Sequence, residues 1–249
     1  MTEFTDWTEF LTTRQQAEVR FAREYATKFN HGTTGHQRLE LIALLADMLD
    51  DGTPPEARVS KVLDVPYQSQ HEDDARRYSL DCGPACVEMV CEFLNPNEDA
   101  TTDAIMTWMT GGRDRATYVI ELQRAAQHFY GVELEREEPA EWEDLKAWVL
   151  NGRVPVIVLG RYGAFLTRQD RGWTGGHFFV VVGFDEVEYH GEAVERVILH
   201  DPDFYRSATA DLTTQGAFVP LTKAHFMAIW DTCHVNGNPD RLALVPRRE

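Results

Sequence analysis

A cysteine stands directly before a Gly-Pro pair in Asp81-Cys82-Gly83-Pro84-Ala85-Cys86, at the head of a mostly apolar run that ends at Asn95-Pro96. The run reads as a buried helix, and Pro84 suits its first turn, where a missing N–H is no loss. The open end of such a helix carries unpaired N–H groups and about half a unit of positive charge, so it favours a thiolate. Cys82 is therefore the candidate nucleophile. Gly83, which has no side chain, would let a substrate come close to the backbone. Cys86 and Cys91 lie deeper in the helix and read as small buried residues, while Glu88 and Glu92 make its only polar stripe.

A thiol nucleophile needs a base, and the base needs an orienting group. Gly175-Gly176-His177 opens the most hydrophobic strand of the sequence, continuing through Phe184. A histidine behind two glycines at a strand mouth suits a base facing a cleft, with Gly176 beside the substrate. Asp201 ends the next strand, in His200-Asp201-Pro202-Asp203. If the two strands are neighbours, their ends bring His177 and Asp201 together. The loop between Gly160 and Gly176 carries Arg161, Tyr162, Phe165, Arg168, Arg171 and Trp173. It reads as a surface loop or as a cleft wall, with Trp173 the candidate substrate contact.

The elements that must hold these residues follow from periodicity. Asp6 with Glu9 has capping-box spacing, and apolar residues from Trp7 to Phe29 and from Leu41 to Leu49 mark two helices. The second is stopped by Gly52 and Pro54-Pro55, so residues 1–55 read as a helical hairpin. The domain that follows is expected at 60–249. After a short extended start at Val62, Leu63, Val65 and Tyr67 and a polar loop at 71–79, helices are expected at about 82–94, 102–110, 117–130 and 141–150. Gly131 and Gly152 stand at C-cap positions. Strands are expected at 154–159, 177–184, 196–200 and 242–245, with a short helix near 222–230 before the last. Helices lead and strands follow, which points to an α+β fold.

Composition narrows the function. The 249 residues carry 24 Lys+Arg against 41 Asp+Glu, a net charge of −17. Nucleic acid and anionic membrane surfaces are poor partners for such a chain, and a cationic or neutral substrate fits better. The longest apolar runs fall far short of the roughly 20 residues of a spanning helix. The acidic start Met1-Thr2-Glu3 carries no apolar core, so no signal peptide is expected. The four cysteines, three of them within ten residues, predict neither a disulfide framework nor a zinc site, and a reducing, cytoplasmic setting is expected. Asp201-x-Asp203 lacks a second oxygen-rich cluster, and Cys233-His234 lacks a partner at metal-ligand spacing. No metal and no cofactor are expected.

Four segments together carry a resemblance: Val65-Pro66-Tyr67-Gln68-Ser69-Gln70, Asp81-Cys82-Gly83-Pro84-Ala85, Gly176-His177-Phe178-Phe179-Val180-Val181-Val182-Gly183-Phe184-Asp185 and His200-Asp201-Pro202. Over about 60–249 the chain resembles the papain-like cysteine peptidases typified by bacteriocin-processing double-glycine leader peptidases. The resemblance implies a papain-like fold, with Cys82 the nucleophile, His177 the general base and Asp201 the orienting residue. It implies that Gln70 is the oxyanion-hole side chain, beside the Cys82 N–H, with Gln68 the alternative in the same segment. The hairpin 1–55 is not part of the shared pattern, and the double-glycine specificity is not carried over. A cysteine peptidase or amidohydrolase acting on a peptide or protein is expected. An acyltransferase or deamidase with the same triad, or a binding module without activity, are the alternatives. Oligomeric state is left open.

Overall fold

The computed structural model describes residues 57–70, 80–98, 100–161, 176–189, 192–203, 216–231 and 240–247. The hairpin expected at 1–55, the loop 71–79, Trp173 and Cys233-His234 lie outside them. The chain divides into two units, one of residues 1–58 and 187–194, the other of 59–186 and 195–249. Of the first, only strand ends are described. The second carries the sheet and the helices.

Seven described strands form one sheet: β1 (Ala57–Val62), β2 (Leu134–Glu137), β3 (Val156–Arg161), β4 (Gly176–Tyr189), β5 (Glu192–His200), β6 (Val219–Thr222) and β7 (Ala243–Pro246). Their order is β2-β7-β3-β4-β5-β6, with β1 also pairing β4. The pairs β2–β7, β3–β7, β3–β4 and β5–β6 are antiparallel, and in β3–β4 Leu159 faces Phe178 and Gly160 faces His177. The described helices are α1 (Cys82–Leu94), α2 (Thr102–Thr110), α3 (Val119–Tyr130), α4 (Trp142–Lys146), which runs on into a wider turn at Ala147–Asn151, and α5 (Lys223–Trp230).

The central runs Val156–Leu159 of β3 and Phe178–Val182 of β4 are apolar at every position because both faces of the sheet are covered there. Ile157, Leu159, Phe178, Val180 and Val182 point to one side, into a core shared with Cys86, Met89 and Val90 of α1 and Leu122 and Ala126 of α3. Val156, Val158, Phe179 and Val181 point to the other, against Leu145 of α4 and Phe226, Ile229 and Trp230 of α5. The result is three layers, with the sheet between two sets of helices.

The helices expected from residue 82 onward and the four expected strands are present, most with shifted ends, and the extended start expected from Val62 is a strand that ends there, at Ala57–Val62. β2 and β6 were not expected, because Glu135-Arg136-Glu137 and Pro220 break the strand pattern. Both strands lie at the ends of the sheet order, where charge and proline are tolerated. Thr101 caps α2 by accepting the Ala104 N–H at 3.3 Å, and Gly111 ends it at φ 66. Gly131 takes the left-handed conformation expected of it, at φ 67. Gly152 does not: its φ is −69. It is glycine for space, since a Cβ there would lie 2.6 Å from the Trp148 carbonyl oxygen. Glu88, read as part of a polar stripe, is buried and accepts the Thr102 hydroxyl at 2.5 Å. Among the described residues no helix is long and apolar enough to cross a membrane.

Candidate active site

α1 begins at Cys82, with Asp81 as its cap residue. The Asp81 side chain makes no capping bond to the turn, and Pro84 brings no N–H to it. The cysteine therefore sits at the positive end of a helix of 13 residues whose next turns are fully buried. A Cβ on Gly83 would lie 2.7 Å from Thr117 Oγ1 and 2.8 Å from Leu122 Cδ2. The packing of α1 on α3 and the turn before it is enough to account for its lack of a side chain.

β4 starts at Gly176 and β5 ends at His200, and the two are neighbours in the sheet. The start of one and the end of the other therefore meet. There His177 Nε2 lies 2.6 Å from Asp201 Oδ1, with the histidine 2% exposed and the aspartate 0%. Asp201 is fixed in turn: its Oδ1 also accepts the Asp203 N–H at 3.0 Å, and its own N–H donates to the Gly216 carbonyl at 2.9 Å. A carboxylate can only accept, so Nε2 carries a proton, and the Cys82 side chain is close enough to the ring to favour its charged form. Burial works against a charge on His177. The Asp201 charge and hydrogen bond, helped by the bond to Cys82, outweigh it and push the pKa up to about 10.

The segment ahead of the cysteine is laid along the same corner. The Leu63 N–H donates to the Val182 carbonyl at 2.8 Å, extending the β1 edge. The Tyr67 hydroxyl donates to the Asp201 carbonyl at 2.9 Å, Ser69 Oγ to the Pro202 carbonyl at 3.4 Å, and the Gln70 N–H to the same carbonyl at 2.9 Å. Gln70 is buried and Gln68 only half-buried. Anchoring at Pro202 places the Gln70 backbone next to Asp201.

Cys86 lies one turn below Cys82. Burial, then the nearby charges of Cys82 and Asp201, push its thiol well above the ordinary cysteine range, and burial alone raises Cys91. Cys82, Cys86 and Cys91 are free thiols. Among the described residues no group of three or more His, Cys, Asp or Glu could hold a metal ion. Gly176 is half-buried at the mouth of β4. Three contributors were given no role from the sequence. Tyr67 and His200 lie inside the segments that carried the resemblance, and only their contacts reveal what they do. Thr117 sits in a polar stretch with no signal of its own.

The sequence from 62 to 235 matches the Peptidase_C39 like family. No curated protein matches. Among solved structures, a candidate C39-like peptidase from Bacillus anthracis is similar at 14% identity and a TM-score of 0.50, over 77% of this chain and 98% of that one. UfSP from C. elegans is similar at 10% identity and a TM-score of 0.44, over 80% of this chain and 36% of that one. The Bacillus structure shares the arrangement of helices and antiparallel sheet described above.

Proposed function

We propose, from the premise that the chain belongs to the Peptidase_C39 like family and has its papain-like α+β fold, that it is a cysteine hydrolase cutting a peptide or another amide. The observation that carries this reading is one buried imidazole bonded to Asp201 at 2.6 Å, with the Cys82 side chain close enough to favour the charge on the ring. With its raised pKa, His177 already holds the Cys82 proton, on Nδ1, at neutral pH, and the Cys82 sulfur attacks the carbonyl carbon. Asp201 fixes the ring through Nε2 and favours the imidazolium. The Cys82 N–H, at the open helix end, and the Gln70 amide donate to the oxyanion. His177 then protonates the leaving amine, giving a thioester on Cys82. Water, deprotonated by the same nitrogen, releases the acid and the thiolate.

The substrate is a peptide or protein, with cationic or neutral sequences favoured by the charge of −17. Nucleic acid and membrane surfaces are not partners in this reading. A reducing, cytoplasmic setting is part of the reading, because three of the four cysteines lie within ten residues of one another. The test is incubation with a mixed peptide library and mass detection of products. New termini that vanish in Cys82→Ala are expected. Products in which an added amine replaces the new carboxylate would move the reading to acyl transfer, and no processing by the wild type would contradict it.

A further inference from the structure

We propose that His200 is a positioning residue for the oxyanion donor, holding the segment 65–70 to the end of β5 through a neutral imidazole that donates with one nitrogen and accepts with the other. The proposal rests on the reading of Cys82 and Gln70 given above. His200 is the last residue of β5 and is fully buried. Its Nε2 lies 3.1 Å from the Val65 carbonyl oxygen. That oxygen can only accept, so Nε2 carries the proton. Its Nδ1 lies 3.3 Å from the Phe218 backbone N–H, which can only donate, so Nδ1 is bare. One tautomer of the neutral ring satisfies both neighbours, and the imidazolium satisfies only one.

The surroundings fix that ring from both sides. Phe218 has φ 54, a conformation that a bulky residue rarely adopts. This turn brings its N–H to Nδ1 while its phenyl ring meets the imidazole edge-on at 4.6 Å. The Tyr67 ring packs at 5.5 Å, and its hydroxyl reaches the Asp201 carbonyl. Burial, the largest influence, keeps the ring neutral against the Val65 carbonyl and the Asp64 charge, with a pKa of about 4. One imidazole thus joins three stretches of chain. The first carries Gln70, the second carries Asp201, and the third is the turn whose Gly216 carbonyl holds the Asp201 N–H. The Val65 bond restrains the segment upstream of Gln70, and the Pro202 carbonyl restrains it at Gln70 itself. Losing the first lets the donor drift, and a displacement of about 1 Å in such a group costs on the order of a hundredfold in rate.

Two substitutions separate the two bonds. The amide of Gln reaches as far as Nε2 and can donate to Val65, whereas the shorter amide of Asn reaches only the place of Nδ1 and serves Phe218. Two probes separate the oxyanion from the thiol. Acylation by p-nitrophenyl acetate passes through an oxyanion, and alkylation by iodoacetamide does not. His200→Asn is expected to slow acylation of Cys82 by about ten- to a hundredfold and to leave its alkylation within about twofold, while His200→Gln keeps most of the acylation rate. In a Gln70→Ala background His200→Asn should add less than about threefold, because both act through one donor. Wild-type acylation in the Asn variant, a full additive loss on top of Gln70→Ala, or both rates falling together with Cys86 becoming reactive would overturn the proposal. Wild-type acylation that survives Cys82→Ala would instead overturn the underlying reading, and the positioning role with it.

Discussion

Cys82 and Cys86 share one face of α1, four residues apart, yet they are chemically unlike. The helix field acts mainly within the first turn, where Cys82 lies. Cys86 is fully buried, and its thiol is pushed well above the ordinary range. Iodoacetamide at mildly acid pH is therefore expected to modify Cys82 first and Cys86 slowly or not at all in the folded protein. Cys86→Ala should keep most turnover, at a cost of about 1 kcal/mol in unfolding free energy from the small cavity. Peptide mapping of the alkylated protein checks both. The two buried histidines pull stability in opposite directions with pH. His177 is raised from an ordinary 6.5 to about 10, so its contribution is complete below 6.5 and is lost as pH climbs through 10. His200 is lowered to about 4. As pH falls from 6.5 toward 4 the unfolded chain takes up a proton that the folded one refuses, and stability drops, by roughly 2–3 kcal/mol. Urea unfolding across pH should show a maximum near 6.5. His200→Gln should flatten the acid side and His177→Ala the alkaline side. An unchanged acid slope in His200→Gln would sink the assignment.

Among the elements, α1 is where sequence and packing agree on the outcome and differ on the cause. Asp81-Cys82-Gly83-Pro84 told of a helix start with a poised thiol, and the helix begins there. The glycine was legible as necessary, but its reason was not. Thr117 and Leu122 lie more than thirty residues away, and nothing in a linear pattern says that they close on Gly83. Gly83→Ala is accordingly predicted to destabilise by about 1–3 kcal/mol, as overpacking does in a filled core. Leu122→Ala in the same chain should recover part of that loss by making room. Thermal unfolding of the single and double variants reads this directly, and strictly additive losses would mean that the contact is not the cause. The edge strands show the opposite limit. β2 and β6 are recruited by β7 and β5, so Glu135, Arg136 and Pro220 need not look like a strand to be in one. Pairing partners distant in sequence supply what local pattern lacks.

At the scale of the molecule, the order of helices and strands pointed to an α+β chain, and the family match and shared fold agree with it. The layering was not legible. Continuous apolar runs in β3 and β4 announce burial, but only the two cores show that helices cover both faces. His177 and Asp201 could be paired from the sequence because a strand start and the next strand's end fall together in a hairpin. The helix start pointed to Cys82 as the third partner, and Cys82 is among the groups that raise the pKa of His177. The net charge of −17 acts on the whole surface, so cleavage of cationic peptides should slow as salt is raised and that of anionic peptides should not. Rates for matched Lys- and Glu-bearing peptides across ionic strength would reveal it, and identical salt slopes would contradict it. The central claim is a covalent one, and intact-protein mass spectrometry after rapid acid quenching tests it most directly. With p-nitrophenyl acetate the wild type should gain a single acetyl mass that maps to Cys82 and decays with turnover. His177→Ala should form it far more slowly, and Cys82→Ala should not form it at all. An acetyl group carried elsewhere, or ester turnover undiminished in Cys82→Ala, would contradict the account.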